Sequence, residues 1–491
     1  MLGRSPFGGG HDRATAYLAR EAARAGLEPA GDSGGWFQTL HLYARRLSPE
    51  SRITVGDSAL VPVRDFKVFP FSGGQPRSIT GAQVVYGGIV GDTTTQISAD
   101  AAASRIVLLG VPSDMTPQRV YQDVSYGPQS RFGRAISVVI ASLDFLSPAQ
   151  RAITTAVGPL DATTPRADAQ PSSILVTRRA ASMMLGRDAG GAVPGAMGRV
   201  IGGRLIVEDR DMPTRNVVAI LRGSDKKLSQ TYVALGAHSD HLGLSPAPFD
   251  HDSVRAAALA RRRGGATATD SVLLSVRDSL TRTHRPRRDS IYNGADDNGS
   301  GSVALLEAAR ALSSGPRPRR SVLFVWHAAE EDGLLGSRWF VEHPTLPLDS
   351  IVAHINLDMI GRGTSADITG GGLRFLNVLG STRRSAEFWP LIAKVNAEAG
   401  LPFAIDTADT RGVYCLSDHW NYARYGIPIA LFTTGSHIDY HSVSDEPDYI
   451  DYAKLAAVSR FTVEVVRALA NRRTRLLPNG PAPDNRSFCR G

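Results

Sequence analysis

Glu330 and Glu331 stand side by side in "HAAEEDGLLGS" (327–337), directly after "RSVLFVW", an apolar run that reads as a strand buried on both faces. Adjacent carboxylates at the edge of a core are costly unless something positive lies beside or between them. Similar groups recur along the C-terminal half. His238 and Asp240 follow "YVALGA", and Asp296 and Asp297 sit in "NGADDNGSGS" ahead of a helical pattern. Asp358 follows "AHINL", and His441 comes after "IPIALFTTGSHIDY". Each alone reads as a cap, a turn former or a hydrogen-bonded surface group. Together they offer two histidines and several carboxylates without thiolates, a donor set suited to a borderline cation such as Zn2+. They hold more carboxylates than one ion needs, so a pair of ions bridged by an aspartate is the natural arrangement.

Such residues need a frame that gathers them. From "RNVVAILRG" (215–223) onward, short apolar runs ("TYVALGAH", "SVLFVWHA", "IVAHINLDM", "IPIALFTT") alternate with helical patterns ("GSVALLEAARAL", "YAKLAAVSRFTVEVVRAL"). This alternation predicts an α/β fold, a mostly parallel mixed sheet flanked by helices. Functional groups in such sheets collect beyond the carboxyl ends of the strands. Residues 12–26 read as an amphipathic helix ended by Gly26. Between about 50 and 200, β-rich runs such as "AQVVYGGIV", "RIVLLGV" and "AISVVIAS" are separated by Gly, Pro, Ser and Thr, predicting a small β-rich domain inserted early. Residues 249–290 are polar and Arg-rich and read as a surface insertion.

A chain of 491 residues exceeds the roughly 250–300 at which single cores stop growing, so more than one domain is expected. No run of eighteen apolar residues offers a membrane span. The net charge of +8 comes largely from Arg261–Arg263 and the two "RPRR" stretches at 285–288 and 317–320. No aromatic residues interleave with them to make a stacking platform, so they read as solvated loops and no nucleic acid is expected. With two cysteines, Cys415 and Cys489, neither a disulfide framework nor a thiolate zinc knuckle is available, and Cys415 reads as a buried thiol. "MLGRSPFGGGHDR" lacks the pattern of a signal peptide and starts close to a helix, which suggests a truncated or processed chain.

In order, "GAHSDHLG", "GADDNGSGS", "AAEEDGLLGS", "NLDMIG", "SDHWNYARYGIP" and "YHSVSDEPDYID" resemble the clan MH zinc aminopeptidases, co-catalytic di-zinc exopeptidases related to bacterial leucyl aminopeptidases and glutamate carboxypeptidase II. The resemblance covers roughly residues 215–470. By texture and position, the early β-rich segment resembles the protease-associated (PA) domain of that family. The resemblance divides the chain into 1–50, the start of the catalytic domain; 51–200, the PA-like insert; 201–475, the di-zinc catalytic domain; and 476–491, a disordered tail.

It implies two Zn2+ ions, one on His238, Asp297 and Asp358, the other on Asp297, Glu331 and His441. The positive charge beside the two glutamates is then this metal pair, and the two have separate jobs. Glu331 is a ligand, whereas Glu330 is the general base that takes a proton from the attacking water and passes it to the leaving amine. Asp240 orients the imidazole of His238. Asp297 is the bridging aspartate, Asp296 is not, and Asp297–Asn298 is a candidate cis peptide. The implied activity is removal of the first residue from peptides with a free N-terminus, in a secreted or periplasmic protein.

Other residues take blander readings. His241, His327, His354, His419 and His437 read as structural residues or partners of the ligands, Tyr440 as a candidate substrate contact, and Asp418 receives no firm role. A carboxypeptidase or dipeptidase of the glutamate carboxypeptidase type would recruit Arg411 or Arg424 for a terminal carboxylate. A glutaminyl-cyclase-like acyltransferase would use a single zinc, and a receptor-like binding module would have lost its ligands. Zinc, cobalt and manganese all suit these donors. The preferred side chain, the oligomeric state and the role of 249–290 are left open by sequence.

Overall fold

The computed structural model describes residues 2–69, 76–113, 115, 131–146, 156–161, 171–264, 275, 278, 282, 287–364, 368, 371–400, 402–409 and 412–480. Within it the chain forms two compact units, one from residues 1–40 with 213–491 and one from His41–Met212.

The first unit is built on a nine-stranded sheet. Its strands include β1 (Thr214–Leu221), β2 (Tyr232–His238), β3 (Ser321–His327), β4 (Ile351–Leu357), β5 (Phe375–Leu379), β6 (Ala404–Asp406) and β7 (Ile429–Thr433). Along the sheet the order is β1-β3-β2-β4-β7-β5-β6, with Glu28–Pro29 and Phe37–Leu40 both paired to β1. The centre, β3-β2-β4-β7, is parallel, whereas β1 and β5 join it antiparallel.

The apolar runs are continuous because both faces are covered. Val233, Leu235, Phe324 and Trp326 turn to a core shared with α1 (Gly9–Arg24), α3 (Gly301–Ser313) and α7 (Tyr452–Asn471). Their alternates Ala234, Leu323 and Val325 turn to one shared with α4 (Leu335–Glu342) and α6 (His419–Arg424). Helix α5 (Phe388–Glu398) contributes Phe388 and Ile392 to the first of these cores. Helix α1 begins at Gly9, earlier than the periodicity from residue 12 implies, and Gly26 follows it with φ +81°. The 249–290 stretch is framed by paired strands, Gly243–Asp250 and Arg288–Tyr292, and carries α2 (His251–Gly264).

One charged stretch departs from the solvated-loop expectation. Arg320 is buried, and its guanidinium donates to the carbonyls of Arg472 and Arg473, fastening the start of β3 to the end of α7. Arg319 pairs with Asp225 at 2.6 Å.

The second unit holds an eight-stranded sheet whose middle, Ala82–Ile89, Ile106–Gly110, Ser137–Ile140 and Ser172–Val176, is parallel. Its limits lie outside the expected 51–200. Residues Leu42–Leu47 and Val207–Asp211 pair with one another, and with Ala156–Asp161 they form a three-stranded sheet, so those flanks belong to the insert.

Candidate metal centre

Parallel strands place their carboxyl ends in a row, and side chains from distant segments meet there. His238 is the last residue of β2 and lies in register with His327, the last of β3. Beyond His327 the chain turns through Ala329 (φ +53°) into Glu330 and Glu331. Asp358 directly follows β4, held by its amide donating to Phe432 O of β7 at 3.1 Å. The loop after β7 brings His441, itself at φ +54°. Positive φ is sparsely populated by residues with side chains, and such positions cluster at functional sites.

Asp297 occupies an irregular turn, Ala295–Ser300, that leads into α3, and its peptide bond to Asn298 is cis. Asn298 Nδ2 donates to Leu357 O at 2.8 Å, while its Oδ1 accepts from Gly301 N at 2.9 Å, tying the start of α3 to the end of β4. Asp445 accepts the amides of Asp296 (3.1 Å) and Asp297 (3.0 Å) from below. Asp296 points away from the cluster: its Oδ1 accepts from Gly361 N, and its Oδ2 lies 3.4 Å from His437 Nε2.

The donor atoms converge. His238 Nε2 is 3.2 Å from Asp297 Oδ1 and 3.5 Å from Asp358 Oδ1. On the other side of the same aspartate, His441 Nε2 is 3.2 Å from Asp297 Oδ2 and 3.0 Å from Glu331 Oε2. His238, Asp297 and Glu331 offer ligand atoms within 4.8 Å of one another, as do His238, Glu330 and Asp358. Asp297 Oδ2 is buried with no directed hydrogen bond despite its closeness to His441. An acidic, buried pocket with inward lone pairs fits one or two divalent cations better than it fits itself.

Electrostatics points the same way. Burial works against charge on Asp297, but the close imidazoles of His238, His441 and His241 outweigh it and hold the carboxyl well below its usual range. Burial likewise opposes a charged His441, yet Asp297 and Glu331 push it up to about 10. Glu330 moves the other way: burial, reinforced by Asp358 and Glu331 against the pull of His238, raises it well above a normal glutamate.

Asp240 is fully buried, and its contacts differ from those expected. His238 Nδ1 is closer to the Asp240 carbonyl oxygen (3.3 Å) than to its carboxylate (3.7 Å). The carboxylate is engaged instead by the amides of Glu330 (3.2 Å) and Glu331 (3.4 Å). It therefore holds the turn bearing both glutamates as well as facing the imidazole.

Three supports lie outside the expected ligand set. His241 Nδ1 donates to Glu331 Oε1 at 2.6 Å. Ser417 Oγ donates to Asp358 Oδ2 at 2.6 Å. Arg4, half-buried, donates to the carbonyls of Ser239 (3.0 Å), Gly294 (2.9 Å) and Asn293, lashing the His238 and Asp297 segments together. The "SDH" spacing marked the neighbourhood of Ser417; nothing local marked Arg4.

The remaining histidines are structural in their contacts. His327 Nδ1 is 3.3 Å from Asp418 Oδ2, and its Nε2 is 3.0 Å from Tyr422 Oη; His354 stacks on Tyr422 with centroids 3.8 Å apart. His419 packs edge-on to Tyr414, and Tyr440 stacks on His441 at 3.8 Å with its ring partly exposed. Cys415 is disulfide-bonded, not a thiol; the chain's other cysteine, Cys489, lies outside the described residues. Arg424 Nη1 donates to Asn421 Oδ1, and Arg411 lies outside the described residues.

The model of peptidase family M28 matches residues 216–466. A probable leucine aminopeptidase of Arthroderma otae is 30% identical over 187 residues, covering 36% of this chain and 48% of that protein. Leucine aminopeptidase 1 of the same organism is 28% identical over 243 residues, covering 47% of this chain and 62% of its own. The chain thus spans about half the length of the curated relatives it matches. Among solved structures, an aminopeptidase from Aneurinibacillus sp. strain AM-1 aligns with TM-score 0.53 and 16% identity over 98% of this chain and 93% of its own. A zinc aminopeptidase from Bacillus subtilis aligns with TM-score 0.53 and 17% identity at the same coverage. At these identities the agreement establishes the shared fold.

Proposed function

The chain belongs to peptidase family M28, and on that premise we propose that it is a zinc-dependent aminopeptidase acting on peptides with a free N-terminus. The observation that carries the reading is the bilateral position of Asp297, with His238 Nε2 3.2 Å from one carboxylate oxygen and His441 Nε2 3.2 Å from the other. In this reading two zinc ions are held, one by His238, Asp297 and Asp358 and one by Asp297, Glu331 and His441. When bound, they would acidify the attacking water and polarise the scissile carbonyl.

The chain's own groups do the rest. Glu330 is the general base: it accepts the proton of the attacking water on its carboxylate and delivers it to the leaving nitrogen. Its buried setting favours the protonated intermediate state. Asp240 fixes the backbone of Glu330 and Glu331, so the base and the ligand keep separate directions. The acidic cluster also favours a substrate ammonium, and the leucine aminopeptidase relatives support an apolar first residue. The inserted unit is read as PA-like from its position and β-rich build. A disulfide at Cys415 favours an oxidising compartment, in keeping with secretion or a periplasmic location. Among the described residues no helix is long and apolar enough to cross a membrane.

The deciding assay compares free and N-acetylated leucyl anilide and a dipeptide ending in glutamate, each after chelation with and without added zinc. Zinc-dependent cleavage of only the free-amine anilide supports the proposal. Cleavage of only the substrate with a free carboxyl terminus would move the enzyme to the carboxypeptidases, and silence without bound metal would overturn the hydrolase reading.

A further inference from the structure

His441 is the exception among the candidate ligands. The others stand at strand ends or a helix start, whereas residues 434–441 belong to neither helix nor strand, and the His441 side chain is the most exposed of the set at 36%. Something other than backbone pairing must hold this imidazole. The nearest anchor is Asp439, a fully buried carboxylate two residues before it. Arg362 Nη2 donates to its Oδ2 at 2.8 Å, and Ser444 Oγ to its Oδ1 at 2.8 Å. The Asp439 amide in turn donates to His437 Nδ1 at 3.2 Å.

A further cation reaches the same carboxylate from the 249–290 insertion. Arg255, on α2, has its Nε 3.5 Å from Asp439 Oδ1 and its guanidinium 3.7 Å from the centre of the Tyr449 ring. His251, at the start of that helix, stacks with the same ring, its centroid 6.1 Å from that of Tyr449 and its plane 17° from parallel. Where the chain returns, Arg287 Nη2 donates to Glu446 Oε1 at 2.9 Å, and Asn293 Nδ2 donates to Glu446 Oε2 at 3.0 Å. The two ends are joined by His251 N donating to Arg287 O at 3.0 Å. The insertion therefore grips the 439–449 loop at three residues, Asp439, Glu446 and Tyr449.

We infer that the insertion is a brace for the His441 half of the metal centre, with Arg255 as its positioning residue; this rests on the two-ion reading above. An ion pair to a buried carboxylate and a cation over an aromatic face are directional and are lost when one partner is removed. The loop they hold carries His441, a ligand of one ion only. It reaches the shared Asp297 turn through the backbone amides held by Asp445, so loosening it acts chiefly on the His441 ion.

The test is zinc titration of the intact chain in competition with a chromophoric chelator, reading stoichiometry and both affinities. Wild type takes up two equivalents. Arg255→Ala binds the second about 10–100-fold more weakly, with a smaller loss or none at the first. Arg255→Lys recovers part of the loss, and Tyr449→Leu reproduces it in part with the charge pair intact. Two equivalents bound by Arg255→Ala as tightly as by wild type, or equal weakening of both, would overturn the brace alone. A wild type that binds fewer than two would overturn the two-ion reading and the brace with it.

Discussion

His241 Nδ1 lies 2.6 Å from Glu331 Oε1, while Glu331 Oε2 lies 3.0 Å from His441 Nε2. One carboxylate is thus held from behind by a histidine three residues beyond His238 and offered forward to the proposed metal centre. Removing the rear hydrogen bond frees the carboxylate to rotate. His241→Ala is expected to lower affinity for the Glu331-bound ion about 10–100-fold. Activity measured against zinc concentration should recover at excess metal, and a variant that stays inactive at saturating zinc would assign His241 a different role.

The adjacent glutamates separate cleanly by substitution. Glu330→Gln removes the proposed proton carrier and keeps the shape, so kcat is expected to fall about 10²–10⁴-fold with metal content unchanged. Glu331→Gln should lose metal first and activity as a consequence. Metal analysis beside kinetics distinguishes the two, and equal metal loss in both variants would contradict the division of labour.

Gly294 sits at φ +55°, and a Cβ there would come within 2.1 Å of Asp297 O and 2.5 Å of the His241 ring. Both the backbone conformation and the space exclude a side chain. Gly294→Ala should therefore displace the Asp297 turn and His241 together, reducing bound zinc and lowering the melting temperature. An alanine variant with normal zinc content would show that the turn can adjust.

His11, which is not among the candidate ligands, supplies a pH prediction. It is buried, 3.0 Å from Ser239 Oγ and 3.1 Å from Thr214 Oγ1, and burial lowers its pKa to about 4 from an ordinary 6.5. Between those values the unfolded chain binds a proton that the folded one does not, so stability rises with pH from about 4 to 6.5 and is flat above. The change from this residue is on the order of 3 kcal/mol. His11→Gln should shrink the difference in urea midpoint between pH 4.5 and pH 7.5 relative to wild type; an identical difference would mean His11 is not held neutral.

The sequence by itself determined the α/β frame and the residue types gathered at its strand ends. Runs such as "SVLFVWH" and "IVAHINL" are mostly apolar and buried at every position because a central parallel strand is covered on both faces, and that pattern is local and readable. Phe375–Leu379 and the edge strand Ala404–Asp406 escaped it, being short and without a continuous buried apolar run. What faces what belonged to tertiary structure. Arg4 reaches Gly294 across 290 positions, Arg255 meets Asp439 from an insertion, and Asp445 holds the amides of Asp296 and Asp297. The same holds for the insert, whose flanks became legible only when Leu42–Leu47 paired with Val207–Asp211. Periodicity reports which face of an element is buried; a hydrogen bond between side chains far apart in sequence depends on how the folded segments meet, and no spacing along the chain encodes it.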